Sequence, residues 1–160
     1  MARVFLGLGS NEGDRASYIS QAVQRLSATP GIRVVQAAPL YETAPVGGPP
    51  QPDYLNTAVE IETSLEPEPL LAALRALEQA LGRSSSEVRW GPRPIDLDIL
   101  VYEDRVMTTP ALTIPHPRMH ERRFVLEPLA QLAPGLRHPL LGQSIDELLK
   151  ASHIQEQECR

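Results

Sequence analysis

The stretch RWGPRPIDLDILVY, residues 89–102, sets two aspartates one residue apart at the point where an apolar strand begins. Because the side chains of a strand alternate between its two faces, Asp96 and Asp98 are predicted to share one face. The same alternation predicts that Tyr102 lies on the face of the aspartates, and that Leu97 and every second residue after it lie on the other. The strand therefore combines an apolar face suited to a core with an acidic face open to another role.

Apolar periodicity on either side of this strand predicts the other elements of the fold. A short continuous apolar run predicts a buried strand near the N-terminus, and strict alternation predicts another strand in mid-chain. Apolar residues at helical spacing, followed by glycine or proline, predict two helices between the strands. The predicted strands cover about 4–8, 32–38, 55–62 and 95–102 with a short partner near 106, and the predicted helices cover about 16–28, 67–81, 124–133 and 144–150.

The order strand, helix, strand, strand, helix, strand is the split βαβ pattern of a ferredoxin-like fold. We therefore expect an α+β sandwich, βαββαβ, with an antiparallel sheet, helices on one face and C-terminal helical additions. A chain of 160 residues fits a single domain, spanning 1–160. The sheet face opposite the helices is then expected to be available as a binding surface.

The composition limits the classes of partner that the protein can have. A formal net charge of −5 argues against general nucleic-acid binding, which depends on Lys and Arg neutralising phosphates. No apolar run approaches the ~20 residues needed to span a membrane, and the N-terminus shows no secretory signal. The single cysteine, Cys159, is interpreted as an incidental surface thiol and suits a reducing compartment. The sequence thus predicts a cytoplasmic protein without nucleic-acid or membrane partners.

Arginines gather in two loops near the paired aspartates. The first loop precedes the aspartates, and the second is the segment PHPRMHERRF, residues 115–124. A guanidinium matches the geometry of phosphate oxygens, and Cα atoms ~6.6 Å apart would let both carboxylates converge on a pair of Mg²⁺ ions. Taken singly, these aspartates and arginines are ordinary solvated side chains, whereas together they favour a phosphate-bearing ligand. The arginines are Arg83, Arg89, Arg93, Arg118, Arg122 and Arg123.

Other metal- and phosphate-binding motifs fit the sequence less well. His116 and His120 are four residues apart, but neither a zinc-protease motif nor paired cysteines accompany them, and His120 is interpreted as a surface residue. The segment GLGSNEGD, residues 7–14, lacks the spacing of a phosphate loop. Gly7 and Gly9 are therefore interpreted as a tight turn between a strand and a loop.

A site for a flat heterocycle is also compatible with the sequence. Aromatic residues make up only 4% of the chain, yet Tyr54 follows a proline- and glycine-rich segment at about 39–53, and Phe124 follows the arginines. Asn56 offers a donor and an acceptor to the edge of a heterocycle. Each of these three residues also has an ordinary explanation, in the core or on an exposed strand. The proline- and glycine-rich segment is interpreted as a binding loop, since long loops in compact domains often have that role.

Seven segments of the chain resemble the 6-hydroxymethyl-7,8-dihydropterin pyrophosphokinase family, in family order over about residues 3–135. The resemblance implies a ferredoxin-like fold and Mg²⁺-dependent transfer of the pyrophosphoryl group of ATP to the hydroxymethyl oxygen of the pterin. AMP would be released, and the reaction would belong to folate biosynthesis. The segments are GLGSN (7–11), YETAPVG (41–47), QPDYLN (51–56), GR (82–83), RWGPRPIDLDIL (89–100), IPHPRM (114–119) and RRFVLEPL (122–129).

The resemblance also implies roles for individual residues. Asp96 and Asp98 would bind two Mg²⁺ ions that bridge the phosphates of ATP, and Arg83 and Arg93 would act in the transfer step. Tyr54 would stack on one face of the pterin ring. The residues implied to contact the pterin are Thr43, Ala44, Pro45, Val46, Tyr54, Asn56 and Phe124, the last on the other face of the ring. Those implied to contact ATP are Glu78, Arg89, Trp90, Ile99, Thr113, His116 and Arg122.

Two departures from the family pattern concern the nucleotide. Ser84–Ser86 stand where some relatives carry basic residues, and Ala111 stands where some carry an arginine near ATP. We expect a monomer whose loops at about 44–53 and 83–93 close over ATP and the pterin. Two alternatives stay open from the residues alone: another two-metal nucleotidyl or phosphoryl transferase on the same fold, and a non-catalytic ferredoxin-like binding module.

Overall fold

The computed structural model describes residues 1–44, 52–82 and 94–158, with side chains described as far as Ser152. Every strand and helix predicted from periodicity is present within a few residues of its predicted bounds, although the last helix extends further. The short strand near residue 106 pairs with Thr113–Ile114 and not, as predicted, with the strand at 95–102. A strand at Tyr41–Thr43 also forms within the segment that was interpreted as a loop. None of the described helices is long and apolar enough to cross a membrane. The elements are β1 (Ala2–Ser10), α1 (Arg15–Ala28), β2 (Ile32–Ala37), β3 (Tyr41–Thr43), β4 (Tyr54–Thr63), α2 (Pro67–Ala80), β5 (Asp96–Tyr102), β6 (Met107–Thr108), β7 (Thr113–Ile114), a 3₁₀ turn at Met119–Glu121, α3 (Arg123–Leu132) and α4 (Ile145–Glu158).

The main sheet has the strand order β2-β4-β1-β5 within the described residues, and β3 pairs with the beginning of β4. All of these pairings are antiparallel. Gly9, near the end of the central strand β1, pairs with Asn56 of β4 on one side and with Asp96 of β5 on the other. Directly paired residues point to the same face of a sheet. This register therefore sets the side chains of Asn56 and Asp96 on one face, at the same end of the sheet.

Helices α1 and α2 cover one face of the sheet, as the split βαβ pattern predicts. Their apolar stripes pack on inward-facing strand residues such as Leu6 and Leu97 and form the larger core. Helices α3 and α4 pack on the opposite face, where Phe5 belongs to a second core. The C-terminal additions thus occupy part of the face that was expected to be available, while Asp96 and Asp98 on that face keep intermediate exposure.

A bulge at Leu100 reverses the alternation of side chains along β5. Phe5 pairs with Val101 and the next residue, Leu6, pairs with Ile99, which leaves Leu100 as an extra residue in the ladder. Val101 consequently packs in the second core, while Tyr102 packs in the larger core and donates a hydrogen bond to the Leu65 carbonyl oxygen at 2.6 Å. The prediction that Tyr102 shares the face of the aspartates is therefore wrong.

The glycines of β1 also differ from their predicted role. Gly7 and Gly9 lie within β1, which continues through Ser10, so their interpretation as a turn is wrong. A Cβ atom at Gly9 would lie 3.0 Å from Asn56 Oδ1 and 3.4 Å from Tyr54 Cδ1. Glycine permits this close approach because it has no side chain.

Candidate active site

The floor of the candidate site is the end of β1, where glycines alternate with larger residues. Gly9 lies between Asn56 and Asp96, and Gly7 lies opposite Asp98 on the same face. Because glycine has no side chain, neighbouring side chains approach this strip closely: a Cβ at Gly9 would lie within contact distance of Asn56 and Tyr54, and one at Gly7 within contact distance of Leu100. The register sets an amide on one side of Gly9 and carboxylates on the other, and we call this strip of β1 the channel.

Asp96 and Asp98 lie together on β5, as the alternation of side chains predicts. Desolvation by the surrounding protein, and next the charge of Asp96, raise the pKa of Asp98 to about 7. The guanidinium groups of Arg75 and Arg122 act in the opposite direction. The two carboxylates therefore resist ionising together unless a cation is present.

This pair of carboxylates fits a Mg²⁺ site. Mg²⁺ is commonly held by one or two carboxylates and completes its shell with water and phosphate oxygens. A bound divalent cation would also offset the repulsion that helps to keep the pKa of Asp98 high. Among the described residues, no group of three or more His, Cys, Asp or Glu side chains is arranged for a metal ion. Water and the oxygens of a phosphate-bearing ligand can complete the shell of an ion held by two carboxylates.

Two charged residues of α2 hold the edge strand β5 beside the aspartates. Arg75 Nη1 donates a hydrogen bond to the Leu97 carbonyl oxygen at 2.8 Å, and the Leu97 amide donates to Glu78 Oε2 at 2.7 Å. Arg75 Nη1 and Glu78 Oε1 form an ion pair at 3.0 Å, and Arg75 Nη2 lies 3.9 Å from Asp98 Oδ1. The side chain of Glu78 is 2% exposed. Glu78, implied by the resemblance to contact ATP, therefore stabilises the position of the strand that carries the aspartates.

Arg75 is a residue of this site that sequence reasoning missed. The sequence offers one signal, an arginine three residues before an acid on the border of the apolar stripe of α2. That spacing is common on solvated helix faces, and the partner at Leu97 lies 22 residues away in the chain. Only the packing of α2 on β5 shows that this pair holds the strand.

Thr43, Tyr54 and Asn56, three residues implied to contact the pterin, lie together at the other border of the channel. Thr43 pairs with Tyr54 in the ladder between β3 and β4, and Ala44 follows directly. Asn56, which is 6% exposed, donates a hydrogen bond from Nδ2 to Thr43 Oγ1 at 2.6 Å. This bond orients the amide so that Oδ1 faces Gly9. The structure therefore places these three residues side by side and shows a fixed orientation for the amide.

Two residues near the start of α1 contact the same border, and neither was singled out from the sequence. Arg15 donates hydrogen bonds to the Asp53 carbonyl oxygen at 2.8 Å and to Glu42 Oε2 at 3.1 Å. Asn11 Nδ2 donates to the Pro52 carbonyl oxygen at 3.1 Å. The segments that carry Thr43 and Tyr54 are therefore tied to α1 as well as to each other.

His116 is positioned by the bulge in β5. Its amide donates to the carbonyl oxygen of Leu100, the bulged residue, at 2.9 Å. Desolvation, and next the charge of Arg122, lower the pKa of His116 to about 4, so that the ring is neutral near neutral pH. Its Nδ1 accepts a hydrogen bond from the Arg118 amide at 3.2 Å, which leaves the ring proton on Nε2. His116 therefore presents a neutral N–H donor.

Arg122 acts electrostatically on two residues of the site and contacts an aromatic ring. Its positive charge acts to lower the pKa of both Asp98 and His116. Its guanidinium lies 5.5 Å from the centroid of the Phe124 ring. Arg122, which directly precedes α3, and Phe124, in the first turn of that helix, are therefore in contact.

His120 differs from its interpretation as a surface residue. It is half-buried, and its ring packs edge-on against that of His138 with 6.0 Å between the ring centroids. His138 is 3% exposed, and its Nδ1 accepts hydrogen bonds from the amides of Leu140 and Leu141. The interpretation failed because His138 is contributed by a segment 18 residues further along the chain.

Of the other residues implied by the resemblance, Ile99 and Thr113 lie within the described residues and the rest lie outside them. Ile99 is 3% exposed and its side chain belongs to the larger core, so only its backbone can face a nucleotide. Thr113 lies in β7 and pairs with Thr108. Pro45, Val46, Arg83, Ser84–Ser86, Arg89, Trp90 and Arg93 lie outside the described residues.

A protein family and several proteins of known name match this chain. The family model described as 7,8-dihydro-6-hydroxymethylpterin-pyrophosphokinase matches residues 5–134. A 2-amino-4-hydroxy-6-hydroxymethyldihydropteridine pyrophosphokinase of Methylorubrum extorquens is 48% identical over 149 residues, which cover 93% of this chain and 92% of that protein. The protein of the same name from Bacillus subtilis is 49% identical over 143 residues, 89% of this chain and 85% of that protein.

Solved structures agree on the fold. The crystal structure of Plasmodium falciparum HPPK-DHPS with pteroate superposes with a TM-score of 0.79 over 99% of this chain, at 16% sequence identity. This chain spans 44% of that longer chain. At this identity the likeness supports the ferredoxin-like fold alone, and it agrees with the strand order and the helix layers described above.

Proposed function

The chain belongs to the 7,8-dihydro-6-hydroxymethylpterin pyrophosphokinase family, and from this membership we propose how its residues carry out the reaction. It is an ATP-dependent pyrophosphokinase that acts on 6-hydroxymethyl-7,8-dihydropterin in folate biosynthesis. The pterin hydroxymethyl oxygen attacks the β-phosphorus of ATP, and the bond from that phosphorus to the oxygen shared with the α-phosphorus breaks. AMP leaves with this oxygen, the hydroxyl proton passes to solvent, and the pterin carries the pyrophosphoryl group.

The observation that best supports this assignment is the register of three strands at one end of the sheet. Asn56, Gly9 and Asp96 lie side by side on one face. The residues proposed for the pterin thereby border the same channel as the carboxylates proposed for the metal. Transfer between two bound substrates depends on holding their reacting atoms together, and this register provides one floor for both.

Asp96 and Asp98 would hold Mg²⁺, with two ions proposed from the family resemblance. Mg²⁺, when bound, neutralises charge on the phosphates of ATP. The contribution of the protein is to keep both carboxylates on one rigid strand with an open face. Arg75 and Glu78 support this arrangement because they fix the backbone of Leu97, the residue between the aspartates.

The pterin would lie on the opposite border of the channel. Asn56 and the backbone near Thr43 and Ala44 would hydrogen-bond the edge of the heterocycle, together with Pro45 and Val46. Tyr54 and Phe124 would contact its faces. The hydrogen bond from Asn56 to Thr43 supports this assignment because it orients the amide before a ligand arrives, which reduces the ordering needed on binding.

ATP would be held by the cationic border of the site. The charge of Arg122 acts on both Asp98 and His116, and its guanidinium is proposed to face the phosphates beside the metal. Neutral His116 would donate its Nε2–H to the nucleotide, and Thr113 and the backbone at Ile99 would border the nucleotide. Arg83 and Arg93 are proposed for the transfer step, with Arg89 and Trp90 as further ATP contacts, on the family resemblance. Glu78, also implied to contact ATP, is buried against β5 and would act on the nucleotide through that strand.

No general base is assigned, because charge neutralisation and alignment supply most of the rate in phosphoryl transfer. We also propose that the chain acts as a monomer, as one domain over 1–160, in the cytoplasm. The two cores share one sheet, which supports a single folding unit. Sedimentation of the purified protein tests the monomer, since a mass near 17.6 kDa is expected.

Substitution of the aspartates tests the proposed roles. With saturating ATP, pterin and Mg²⁺, we expect Asp96→Asn and Asp98→Asn to lower turnover by about a hundredfold or more. Asp104→Asn is the matched control, because Asp104 is exposed in the turn after β5. Turnover close to wild type in either aspartate variant would contradict the metal assignment.

A further inference from the structure

We propose that Arg15 is a positioning residue for the pterin border of the site. Its guanidinium links the two chain segments that carry Thr43 and Tyr54, and it thereby keeps them in the arrangement that accepts the heterocycle. The inference rests on the proposed function, because it concerns the substrate that these two residues would contact.

The contacts of Arg15 lie one residue before each of the proposed pterin contacts. Nη2 donates to the carboxylate of Glu42, the residue before Thr43, at 3.1 Å. Nη1 donates to the carbonyl oxygen of Asp53, the residue before Tyr54, at 2.8 Å. One planar group with donors in a fixed fork therefore sets the distance between the two segments.

The position of Arg15 itself is fixed by the beginning of α1. It is the first residue of that helix, and Asp14 before it accepts a hydrogen bond from the Ser17 amide at 3.1 Å as the N-cap. The Asp14 carbonyl oxygen also accepts from the Tyr18 amide. The guanidinium therefore extends from an element that packs in the larger core and is separate from β3 and β4.

The ladder between the two segments is short. β3 contains only three residues, and its ladder with β4 pairs Tyr41 with Asn56 and Thr43 with Tyr54. Strands of this length are weakly held by their ladder alone. Arg15 adds an attachment from a different element, beside the hydrogen bond between Asn56 and Thr43, at the end of the ladder nearest the proposed ligand.

Loss of this attachment should act on pterin binding more than on ATP binding. If a smaller fraction of molecules has the two segments correctly placed, the apparent Kd for the pterin rises in inverse proportion to that fraction. The side chain of Arg15 is 29% exposed and that of Glu42 is 56% exposed, so the ion pair is partly screened by solvent. We therefore expect an increase of about threefold to about tenfold in Kd and KM for the pterin.

The test compares Arg15→Gln, Arg15→Lys and Glu42→Ala with wild type. Equilibrium Kd for 6-hydroxymethyl-7,8-dihydropterin, KM for both substrates and urea unfolding are measured for each protein. Arg15→Gln should raise Kd and KM for the pterin and leave KM for ATP within about twofold. Arg15→Lys should show a smaller increase, because a single ammonium replaces the fork while the charge is kept.

A double-variant cycle separates positioning from general stability. Glu42→Ala removes one of the two attachments, so its effect should be smaller than that of Arg15→Gln. The double variant should be no worse than Arg15→Gln alone, because Glu42 is proposed to act through Arg15. Arg33→Gln is the matched control, since it breaks the 3.2 Å ion pair with Glu62 between β2 and β4 without touching the site.

Two results would overturn the inference. One is an unchanged pterin Kd in Arg15→Gln, and the other is an equal rise in KM for ATP, which would indicate general destabilisation. If Arg15→Gln does not fold, Glu42→Ala decides alone, and an unchanged pterin Kd in that variant counts against the proposal. An inactive wild-type protein would instead contradict the proposed function, so the two failures are distinguishable.

Discussion

Asn56 and Asp96 pair with Gly9 from opposite sides on one face of the sheet, so that the width of one strand separates the proposed pterin border from the proposed metal border. Adjacent strands lie ~4.8 Å apart, which puts the two Cα atoms about 9–10 Å from each other across the glycine. The absence of a side chain at Gly9, which lets Asn56 approach the strand closely, is therefore as important to the site as the side chains on either side.

Gly9→Ala is expected to disturb the pterin border directly. The added methyl would lie 3.0 Å from Asn56 Oδ1, and Asn56 is held by its hydrogen bond to Thr43. We expect a rise in KM for the pterin and a loss of about 1–3 kcal/mol in the free energy of unfolding, measured by urea titration. Gly135→Ala is the control, because a Cβ there would meet nothing within 4 Å. A Gly9→Ala variant with wild-type KM and stability would show that the close approach is unimportant.

Arg75→Met is expected to loosen the strand that carries the aspartates. The change removes the hydrogen bond to the Leu97 carbonyl oxygen and leaves the buried carboxylate of Glu78 without its ion pair. Breaking a buried pair by removing one partner destabilises proteins by about 3–5 kcal/mol, and the partial exposure of Arg75 reduces that figure here. Thermal unfolding should shift downward, and the concentration of Mg²⁺ needed for half-maximal turnover should rise. Arg105→Gln, which breaks an exposed ion pair with Glu66, should change neither quantity appreciably.

The pKa of Asp98 gives a dependence of stability on pH with a definite sign. Its pKa is raised from 3.8 to about 7, first by desolvation and then by Asp96. A carboxyl whose pKa is higher in the folded than in the unfolded state favours folding at low pH, and this contribution is lost as the pH rises through the folded pKa. Without divalent cations, the stability of wild type relative to Asp98→Asn should therefore fall between about pH 4 and about pH 7.

Saturating Mg²⁺ provides the control for that measurement. A bound cation favours the ionised carboxylate, so the fall in relative stability across this range should be reduced. Urea unfolding of both proteins, with and without Mg²⁺, measures the effect. A difference between the two proteins that does not vary with pH would contradict the raised pKa of Asp98.

His138 should give a dependence of folding stability on pH that is opposite in sign to that caused by Asp98. Desolvation, and next the charge of His120, lower the pKa of His138 from 6.5. The unfolded chain then binds a proton that the folded protein resists, so stability falls as the pH drops below about 6.5. The stability of wild type relative to His138→Gln should decrease over that range and stay constant above it. An equal loss of stability at low pH in both proteins would contradict the lowered pKa of His138.

Local periodicity was sufficient to predict most of the secondary structure. The alternation in 95–102 predicted a strand with both aspartates on one face, and the structure confirms this as far as Ile99. The prediction failed from Leu100 onward because a bulge depends on pairing with β1, which the sequence of β5 alone does not encode. One inserted residue reversed the faces of Val101 and Tyr102.

The residues that hold the site in place were harder to predict than the residues proposed to bind its substrates and metal. Arg15 and Arg75 act on backbone carbonyl oxygens that lie 38 and 22 residues away in the chain. A single arginine at the start of a helix or on its border is usually a solvated side chain, so no local pattern distinguishes these two. Only the family resemblance singled out Glu78. Its burial results from the packing of α2 on β5, which the sequence of α2 alone does not show.

Transfer of the pyrophosphoryl group is tested most directly by following the phosphorus atoms of ATP during turnover with the pterin alcohol and Mg²⁺. Parallel reactions use ATP radiolabelled at the α- or the γ-phosphorus, and the products are separated by chromatography. We expect the γ label to move to the pterin and the α label to remain in AMP. Recovery of the α label in ADP would mean transfer of a single phosphoryl group. Release of the γ label as free pyrophosphate would mean either nucleotidyl transfer, with the α label on the pterin, or hydrolysis, with the α label in AMP. Either result would contradict the pyrophosphokinase assignment.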